Sequence, residues 1–453
     1  MKMPGTYKLI REIPVEDGYD VVVAGGGPAG SAAAICAARL GARVLLLEAT
    51  GCLGGMGTSG LVNAFDPMAD GERMLVGGLM REIVETMYER GFLGPHVTPD
   101  FWRRHYHRWT QFRCEGLKLL LDELATEAGV EVRFFTRAID AEVDADSREV
   151  RGVIINNVEG YRFIEAKTFI DATGDAALAD LCGAECREAG RDTEKIMPAT
   201  LASLHAGVDW DKCRRRKANQ REALEKAISD GHFSQPDHHL PGMSRVGDAL
   251  GYLNGGHVFN LNALRCRSLS DGIMLGRRLV QEYVGFYRKY VPGCENLELV
   301  TTASLMGIRE SRRIVGEYEL TIDDYMARRR FPDQIGLYNK FVDVHPYDNS
   351  PEEWARFKDD HEKMRLGKGE FFGIPYRILV PKGWRNLWVA GRCNSSDVLV
   401  HGSIRVMPAA AMMGQAAGTA ALQSIQTGAT AHELDTDKLI ATLREQGAEL
   451  PAN

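Results

Sequence analysis

The feature that most constrains the fold is a strand–helix–strand pattern in residues 19–60. Residues 21–23 are three valines, as in a parallel strand that is buried on both faces. A glycine-rich turn follows, and residues 29–40 are rich in alanine, which favours a helix. A second apolar run, residues 44–47, ends at Glu48. The pattern predicts a βαβ unit at the centre of a parallel sheet.

The turn in this unit carries the spacing G-x-G-x-x-G. The first glycine permits a tight turn, the second lets a pyrophosphate approach the backbone, and the third lets the helix pack closely on the strand. The N-terminus of the helix offers unpaired N–H groups to the phosphates, and the acid after the second strand suits a ribose hydroxyl. The unit therefore predicts a dinucleotide site. Its predicted contacts are Gly25, Gly27, Pro28, Ala29, Gly30 and Glu48.

The chain has 453 residues, too many for one ordinary core, and the pattern changes twice along it. Residues 1–185 hold the βαβ unit, three alternating runs at 138–143, 150–156 and 161–165 that predict an antiparallel meander, and a separate apolar strand at 168–171. Residues 186–372 alternate helical runs with polar and proline-containing segments and predict an inserted domain. Residues 373–453 return to an apolar strand and a small-residue helix. The predicted fold class is α/β, with a nucleotide-binding domain split by the insertion.

Composition narrows the classes of partner. The net charge is −7 and no stretch is continuously basic, which argues against a nucleic-acid partner. The nine cysteines contain no C-x-x-C pair, so neither a disulfide framework nor a zinc ribbon is expected. The first residues have no apolar signal region, and no apolar run approaches the length of a membrane span. We expect a cytoplasmic protein with no membrane partner.

Several motifs, taken in their order along the chain, resemble those of the glutathione-reductase-like flavoproteins, and among them the FAD-dependent oxidoreductases. They are GGGPAG with Glu48, LGGMGTSGLV at 53–62, DATGDA at 171–176, GIRESRR at 307–313, LWVAGR at 387–392 and GSIRVMPAAAMMGQAAGTAA at 402–421. The resemblance implies a glutathione-reductase-like, Rossmann-type FAD-binding domain with an inserted substrate or cap domain. It also implies that the dinucleotide is FAD.

The resemblance extends the predicted FAD site beyond the βαβ unit. The glycine-rich loop after Glu48 would form a wall of the site, and a helix start at residues 414–418 would point at the flavin. The further predicted contacts are Gly54, Gly55, Met56, Thr58, Asp171, Thr173, Gly174, Asp175, Gly391, Arg392, Gly414, Gln415 and Gly418. Only Cys52 lies where disulfide reductases of this fold carry a cysteine pair, and no second G-x-G-x-x-G is present. Dithiol chemistry is therefore not expected, and the electron acceptor stays unidentified.

Three residues are predicted to be catalytic. His401 stands in the segment expected to face the flavin, where it would accept a proton or merely pack against the cofactor. Arg309 and Arg405, with Arg312 and Arg313 as further candidates, would hold a carboxylate or a pair of hydroxyls. Helical spacing would place Arg309 and Arg313 on one face, and at least one arginine of this run would form an internal ion pair.

No metal site is predicted. The histidines at positions 105, 107, 238 and 239 have neither the helical H-x-x-x-H spacing nor paired carboxylates. Together the features predict an FAD-dependent oxidoreductase that oxidises a small organic substrate at a C–OH or C–N bond by hydride transfer to flavin N5. The alternatives are a fumarate-reductase-like reduction of an activated C=C bond and, in a different class, a flavin-containing RNA-modifying protein. The oligomeric state is not predicted.

Overall fold

The computed structural model describes residue 5 and residues 7–216 and 219–451. The outermost residues of the first and last predicted domains, and residues 217 and 218 of the middle one, lie outside these ranges. The N-terminal part contains the βαβ unit, the meander and four further helices. Its elements are β1 (Val15–Ala24), α1 (Pro28–Arg39), β2 (Val44–Leu47), β3 (Ala64–Phe65), α2 (Gly78–Glu89), α3 (Asp100–Arg103), β4 (Thr110–Gln111), α4 (Cys114–Glu127), β5 (Glu131–Arg133), β6 (Arg137–Asp144), β7 (Glu149–Asn157), β8 (Gly160–Asp171) and α5 (Ala177–Cys182).

The middle part consists of short strands and a few helices, of which one is long. Its elements are β9 (Cys186–Glu188), β10 (Ala199–Thr200), β11 (Ser203–Ala206), α6 (Trp210–Arg215), α7 (Gln220–Ser229), β12 (Ser244–Arg245), β13 (Gly251–Leu253), β14 (His257–Val258), α8 (Cys266–Tyr290), β15 (Glu298–Thr302), β16 (Arg312–Ile314), α9 (Ile322–Met326), β17 (Gln334–Tyr338) and α10 (Pro351–Lys363). The C-terminal part adds β18 (Phe372–Pro375), β19 (Leu387–Val389), α11 (Val398–Ile404), α12 (Met407–Thr427) and α13 (Thr436–Glu445).

A seven-stranded sheet organises the N- and C-terminal parts. Its strand order is β5-β2-β1-β8-β7-β6, and β19 pairs with the C-terminal half of β8. The strands β5, β2, β1, β8 and β19 are parallel, whereas β6, β7 and the first half of β8 form the antiparallel meander. The predicted α/β fold with a Rossmann-type sheet is confirmed.

One strand differs from the sequence prediction. Residues 161–165 and 168–171 were predicted as two strands, but β8 runs through both without a break. The reason is that β1 pairs with β8 along nearly its whole length, while the partner on the other side changes from β7 to β19. The polar residues in the middle of β8 therefore lie within a continuous ladder.

Two helices pack on the sheet through very small residues. Most residues of α1 are buried, as are the first eighteen residues of α12. Both helices are rich in alanine and glycine. The largest hydrophobic core joins these helices to α2, α4 and residues 320–366 of the middle part. A separate core in the middle part is formed by α7, α8 and neighbouring segments. The predicted domain boundaries at 185/186 and 372/373 stay a prediction. Within the described ranges, no helix is both long and apolar enough to cross a bilayer.

Candidate functional site

The first and third glycines of the turn are required by close packing. Gly25 has φ +95°, and a Cβ there would lie 2.6 Å from the carbonyl oxygen of Ala172, the residue just after β8. A Cβ on Gly30 would lie 1.7 Å from the carbonyl oxygen of Gly25. Any side chain at either position would push α1 away from the sheet, so these two glycines fix the helix against β1.

The second glycine faces open space instead. Gly27 is the N-cap of α1, and a Cβ there would meet no described atom within 4 Å. Pro28 occupies the first turn of the helix, where a missing N–H costs nothing. The remaining N–H groups of that turn face this open space, and they carry the positive end of the helix dipole. The geometry fits a pyrophosphate.

The acid at the end of β2 is held beside the turn. Glu48 is buried, and its Oε2 accepts a hydrogen bond of 2.7 Å from the N–H of Gly26. Its Oε1 accepts one of 2.6 Å from the N–H of Thr50. The carboxylate is thus fixed in position at the sheet edge where a ribose would follow the pyrophosphate.

The glycine-rich loop after Glu48 lies against the turn. Gly54 and Gly55 both have positive φ, and a Cβ on Gly55 would come 2.9 Å from the Cα of Gly27. Met56 lies in a short 3₁₀ helix, and the hydroxyl of Thr58 donates a hydrogen bond of 2.6 Å to the carbonyl of Leu53. The loop therefore forms a rigid wall next to the predicted pyrophosphate position.

Asp171, at the end of β8, lies behind the residues that form the other wall of the predicted site and holds them in place through hydrogen bonds. Its carboxylate is fully buried and accepts hydrogen bonds from the N–H and hydroxyl of Thr173 and from the N–H of Ala179. Burial raises the pKa of Asp171 even though these bonds act in the opposite direction. That Asp171 itself contacts the cofactor stays a prediction, and its oxygen atoms accept hydrogen bonds from the turn that it stabilises.

Arg392 joins this wall to the C-terminal part. Its Nε donates a hydrogen bond of 2.7 Å to the carbonyl of Gly174, and its guanidinium pairs with Asp175 at 2.6 Å. Gly391 has φ +87°, which permits the sharp turn after β19. The five predicted positions from Thr173 to Asp175 and at 391–392 therefore form one connected structure beside the turn of α1.

The C-terminal helix α12 begins at Met407, so residues 414–418 lie inside it. The start expected at Gly414 is wrong, because α12 begins at Met407 with Pro408 in its first turn. Gly414 and Gly418 lie inside the helix, where a Cβ would come 2.0 Å from the carbonyl oxygen of Ala29 and 2.2 Å from that of Ala33. These glycines serve the close packing of α12 on α1.

Gln415 points to a different part of the molecule. Its Oε1 accepts a hydrogen bond from the N–H of Leu79 at the start of α2, and its Nε2 donates one to the side chain of Gln446. The predicted cofactor role of Gln415 stays a prediction, and its observed hydrogen bonds join α12 to α2 and to the segment after α13.

His401 lies behind the site rather than in it. Its ring is fully buried in α11, and Nε2 donates a hydrogen bond of 2.7 Å to the backbone carbonyl of Arg392. Burial, with Arg313 and Arg405 nearby, holds the pKa of His401 well below its ordinary value. The ring is therefore neutral and closed off from solvent. The predicted role as proton acceptor stays a prediction, and the observed contact of the ring holds the Arg392 turn in place.

Arg309 does not lie in a helix, contrary to the predicted helical spacing, because residues 303–311 connect β15 to β16 without regular structure. The guanidinium is nevertheless buried. Its NH1 donates hydrogen bonds to the carbonyl of Pro198 at 2.7 Å and to the hydroxyl of Thr200 at 3.0 Å. Burial, followed by the charge of Arg405, lowers the pKa of Arg309. A guanidinium remains charged at neutral pH despite such a shift.

Arg405 belongs to a buried group of charges at the junction of α11 and α12. Its NH2 donates to the backbone carbonyl of Asp343 at 2.8 Å and lies 3.3 Å from the Asp343 carboxylate. Lys340 is buried 3.6 Å from the same carboxylate and 3.0 Å from Asp66, which also accepts a hydrogen bond from the indole of Trp109. Sequence reasoning missed Asp66, Lys340 and Asp343, because they come from distant segments with no recognisable spacing.

Three imidazoles adjoin this charged group. His257 and His345 are buried with Nε2 and Nδ1 2.9 Å apart, and His239 packs against both rings. His239 was considered in the sequence and set aside, whereas His257 and His345 were missed. The one local signal was the two-residue spacing of Asp343 and His345, whose side chains contact each other in the structure.

Three proteins that are similar to this chain are a reductase, a reductase-like protein and a halogenase. A digeranylgeranylglycerophospholipid reductase 2 from Methanopyrus kandleri is 30% identical over 164 residues, which are 34% of this chain and 37% of that protein. The match thus covers little more than a third of the relative. A geranylgeranyl bacteriochlorophyll reductase-like protein from Thermoplasma acidophilum is 15% identical over 96% of this chain and 85% of its own, with a TM-score of 0.48. The myxobacterial chondrochloren halogenase CndH is 15% identical over 96% and 79%, with a TM-score of 0.43.

The family itself is clear. The sequence profile of FAD dependent oxidoreductases matches residues 20–443, which include the turn of α1, the glycine-rich loop, both walls and α12. The open space at Gly27, the unpaired N–H groups of α1 and the fixed carboxylate of Glu48 fit FAD. The chain belongs to the family of FAD-dependent oxidoreductases.

Proposed function

We propose that this oxidoreductase acts on a small organic acid and oxidises it at a C–OH or C–N bond. The observation that carries the proposal is the environment of Arg309. This buried guanidinium has no carboxylate within ion-pair distance among the described residues, and the acceptors of its NH1 are a neutral carbonyl and a hydroxyl. Burying a charge without a partner costs several kcal/mol, so a buried cation of this kind suits an anionic ligand.

The neighbouring arginines differ in this respect. Arg312 pairs with Asp180 at 3.0 Å and with Glu188 at 3.4 Å, and Arg405 lies 3.3 Å from Asp343. Arg313 lies 3.6 Å from Glu310 and also donates to the carbonyl of Ser396. Of the four predicted anchoring arginines, Arg309 is thus the one whose charge is left for a substrate carboxylate, which a guanidinium binds through two parallel hydrogen bonds.

Oxidation also requires an acceptor for the substrate proton. When bound, FAD supplies the hydride acceptor at N5 of the flavin. For the proton we assign Asp66, whose contacts with Lys340 and Trp109 both go to Oδ1. Its Oδ2 is therefore the oxygen that is able to take a proton from a hydroxyl or an ammonium group. The Nζ of Lys340, 3.0 Å from Oδ1, holds the carboxylate of Asp66 in position.

A second candidate is reduction of an activated C=C bond by the same site. It is favoured by the name of the Methanopyrus relative, which is a reductase. In that direction Arg309 would bind the carboxylate of an enoate, and a protonated Asp66 would deliver the proton. The two candidates share the anion site and differ in the direction of electron flow.

Anaerobic spectroscopy of the holoenzyme tests the proposal. A panel of 2-hydroxy acids and amino acids is mixed with oxidised enzyme, alongside alcohols and amines that lack the carboxylate. We expect at least one acid to bleach the flavin and its neutral analogue to fail. Re-oxidation of pre-reduced enzyme by an enoate, without bleaching by any acid, would instead establish the reductive candidate.

Matched variants test the role of Arg309. Arg309→Gln should raise the KM for the acid by about 10- to 150-fold, since a charge-assisted hydrogen bond contributes about 1.5–3 kcal/mol. Arg312→Gln removes an arginine of the same run whose charge is already paired, and it should leave KM unchanged. Equal KM values for wild type and Arg309→Gln, or equal bleaching by acids and neutral analogues, would refute the anion site.

A further inference from the structure

The side chains of His239, His257 and His345 form a group that neither the sequence motifs nor the FAD site explains. One nitrogen of each lies within 4.8 Å of the others. Their ring centres are 4.9, 4.8 and 5.0 Å apart, close to an equilateral triangle. We propose that these three imidazoles bind a divalent first-row metal ion.

The triangle has the size that an ion would impose. Imidazole nitrogens bind zinc at about 2.0–2.1 Å, which puts each ring centre about 3.2 Å from the ion and tetrahedral ring centres about 5.2 Å apart. The observed separations are slightly smaller. Nitrogens at opposite sides of one ion cannot be more than about 4.2 Å apart, so the 4.8 Å spread requires an inward shift of about 1 Å. His239 is the least buried of the three and is the ring that can make this shift.

Carboxylates lie behind two of the rings. Oδ2 of Asp237 is 3.2 Å from Nδ1 of His257, and Oδ1 of Asp343 is 3.3 Å from Nε2 of His345. Metal-bound histidines usually have a carboxylate or carbonyl at the ring nitrogen that does not bind the metal, because it fixes the tautomer and strengthens the ligand. Both carboxylates are therefore placed to accept a hydrogen from the outer nitrogen of their ring when the inner nitrogen binds an ion.

That protonation pattern would leave the lone pairs of two ring nitrogens facing each other. With hydrogens on the nitrogens nearest the carboxylates, Nε2 of His257 and Nδ1 of His345 are both unprotonated, and they lie only 2.9 Å apart. Two such lone pairs repel at this distance unless a cation or a shared proton lies between them. An ion bound to both at about 2.05 Å would make an angle of about 90°, which is within the range of metal sites.

The charge of Asp237 favours a metal ion. Asp237 is buried, and its other hydrogen bonds come from the backbone N–H groups of His239 and His257. In the described part of the chain, no lysine or arginine lies within ion-pair distance of it. Asp343 differs, since Lys340 and Arg405 already share its charge. A divalent ion among the three rings would supply the missing positive charge next to Asp237.

The ligand set also indicates the class of ion. Imidazole ligands suit zinc, cobalt, iron, nickel and copper, whereas magnesium and calcium prefer oxygen. Three protein ligands with an open fourth position are typical of catalytic rather than structural zinc sites. The inference is independent of the direction in which the flavin reaction runs.

Metal retention by the FAD-bound holoenzyme tests the site. The enzyme is dialysed against a chelator, given one equivalent of Zn²⁺ or Co²⁺, and passed through a desalting column, after which metal and FAD are both quantified. We expect about one ion per FAD. His257→Ala should reduce retention to near zero, and Asp237→Asn should weaken affinity about 10- to 100-fold through the loss of the carboxylate behind the ring.

His238→Ala is the matched control. His238 is adjacent to His239 in the chain but pairs with Glu225 outside the triangle, so its removal should leave retention unchanged. If His257→Ala does not fold, His239→Ala provides the same test at a less buried position. The absence of retention by wild type, or equal retention by wild type and the His239 and His257 variants, would overturn the inference and leave a proton shared between His257 and His345.

Discussion

Gly27→Ala should weaken FAD binding by at least tenfold without harming the fold. The backbone at Gly27 has φ −66° and ψ −174°, which alanine adopts freely, and the new Cβ meets no described atom within 4 Å. The methyl group instead occupies the space in which a phosphate would approach the first turn of α1. Gly30→Ala, three residues later, places its Cβ 1.7 Å from the carbonyl oxygen of Gly25 and should damage the fold directly.

The expected magnitudes separate the two variants. At Gly27, alanine gains about 0.4–1 kcal/mol by restricting the unfolded chain and loses a similar amount because it is a poorer N-cap than glycine. The apo-protein should therefore unfold within about 0.5 kcal/mol of wild type. Loss of one charge-assisted hydrogen bond from an N–H to a phosphate costs about 1.5–3 kcal/mol, or about 10- to 150-fold in Kd. Gly30→Ala should destabilise the apo-protein by about 3 kcal/mol or more.

Two measurements on the same samples check this prediction. Urea unfolding of the apo-protein gives the stability of each variant, and titration with FAD followed by flavin fluorescence gives its Kd. The reasoning is refuted if Gly27→Ala binds FAD as tightly as wild type. It is also refuted if Gly27→Ala loses as much stability as Gly30→Ala. The space at Gly27 would then be required for folding and not for binding FAD.

Substitutions at three further positions probe the predicted FAD site and the surrounding structure. Glu48→Ala should weaken FAD binding at least tenfold by removing the ribose acceptor, whereas Glu48→Gln, which keeps one oxygen, should have a smaller effect in the same titration. Gly414→Ala should lower the free energy of unfolding by about 2–3 kcal/mol, measured in urea, because its Cβ would lie 2.0 Å from the carbonyl oxygen of Ala29. Burial alone would raise the pKa of Glu353, but hydrogen bonds from Lys195 and Arg356 lower it from 4.5 to about 2. That stabilisation is present above pH 4.5 and lost as the pH falls toward 2, so Glu353→Gln should remove up to about 3 kcal/mol at pH 7 and flatten the acid limb of the stability profile.

The parts of the fold that could be predicted are those that local chemistry determines. The bounds of β2 were predicted at the observed residues, and α1 differed by one residue at each end, because valine runs, alanine content and turn glycines act over a few positions. Residues 303–311 could not be predicted in the same way. Their arginine spacing is typical of a helix, but the segment is held by contacts to distant partners, including Thr200 and Ser59. Tertiary contacts override local preference there.

The proposed roles of most site residues could not be predicted from the sequence, because these roles depend on which side chains are buried together and not on residue type alone. His257 and His345 are 88 residues apart, and each is unremarkable in its own segment. Asp66 follows the glycine-rich loop, whereas Lys340 and Asp343 lie beyond β17, and only the folded chain brings them together. Arg309 gives the clearest case. In the sequence it is one arginine among several with nearby acids, and only the structure shows that its neighbours are paired while it is not. A buried charge without a partner is costly to fold, so its retention argues for a ligand that compensates it. We therefore expect the specificity of this protein to be set at Arg309 and the residues around it.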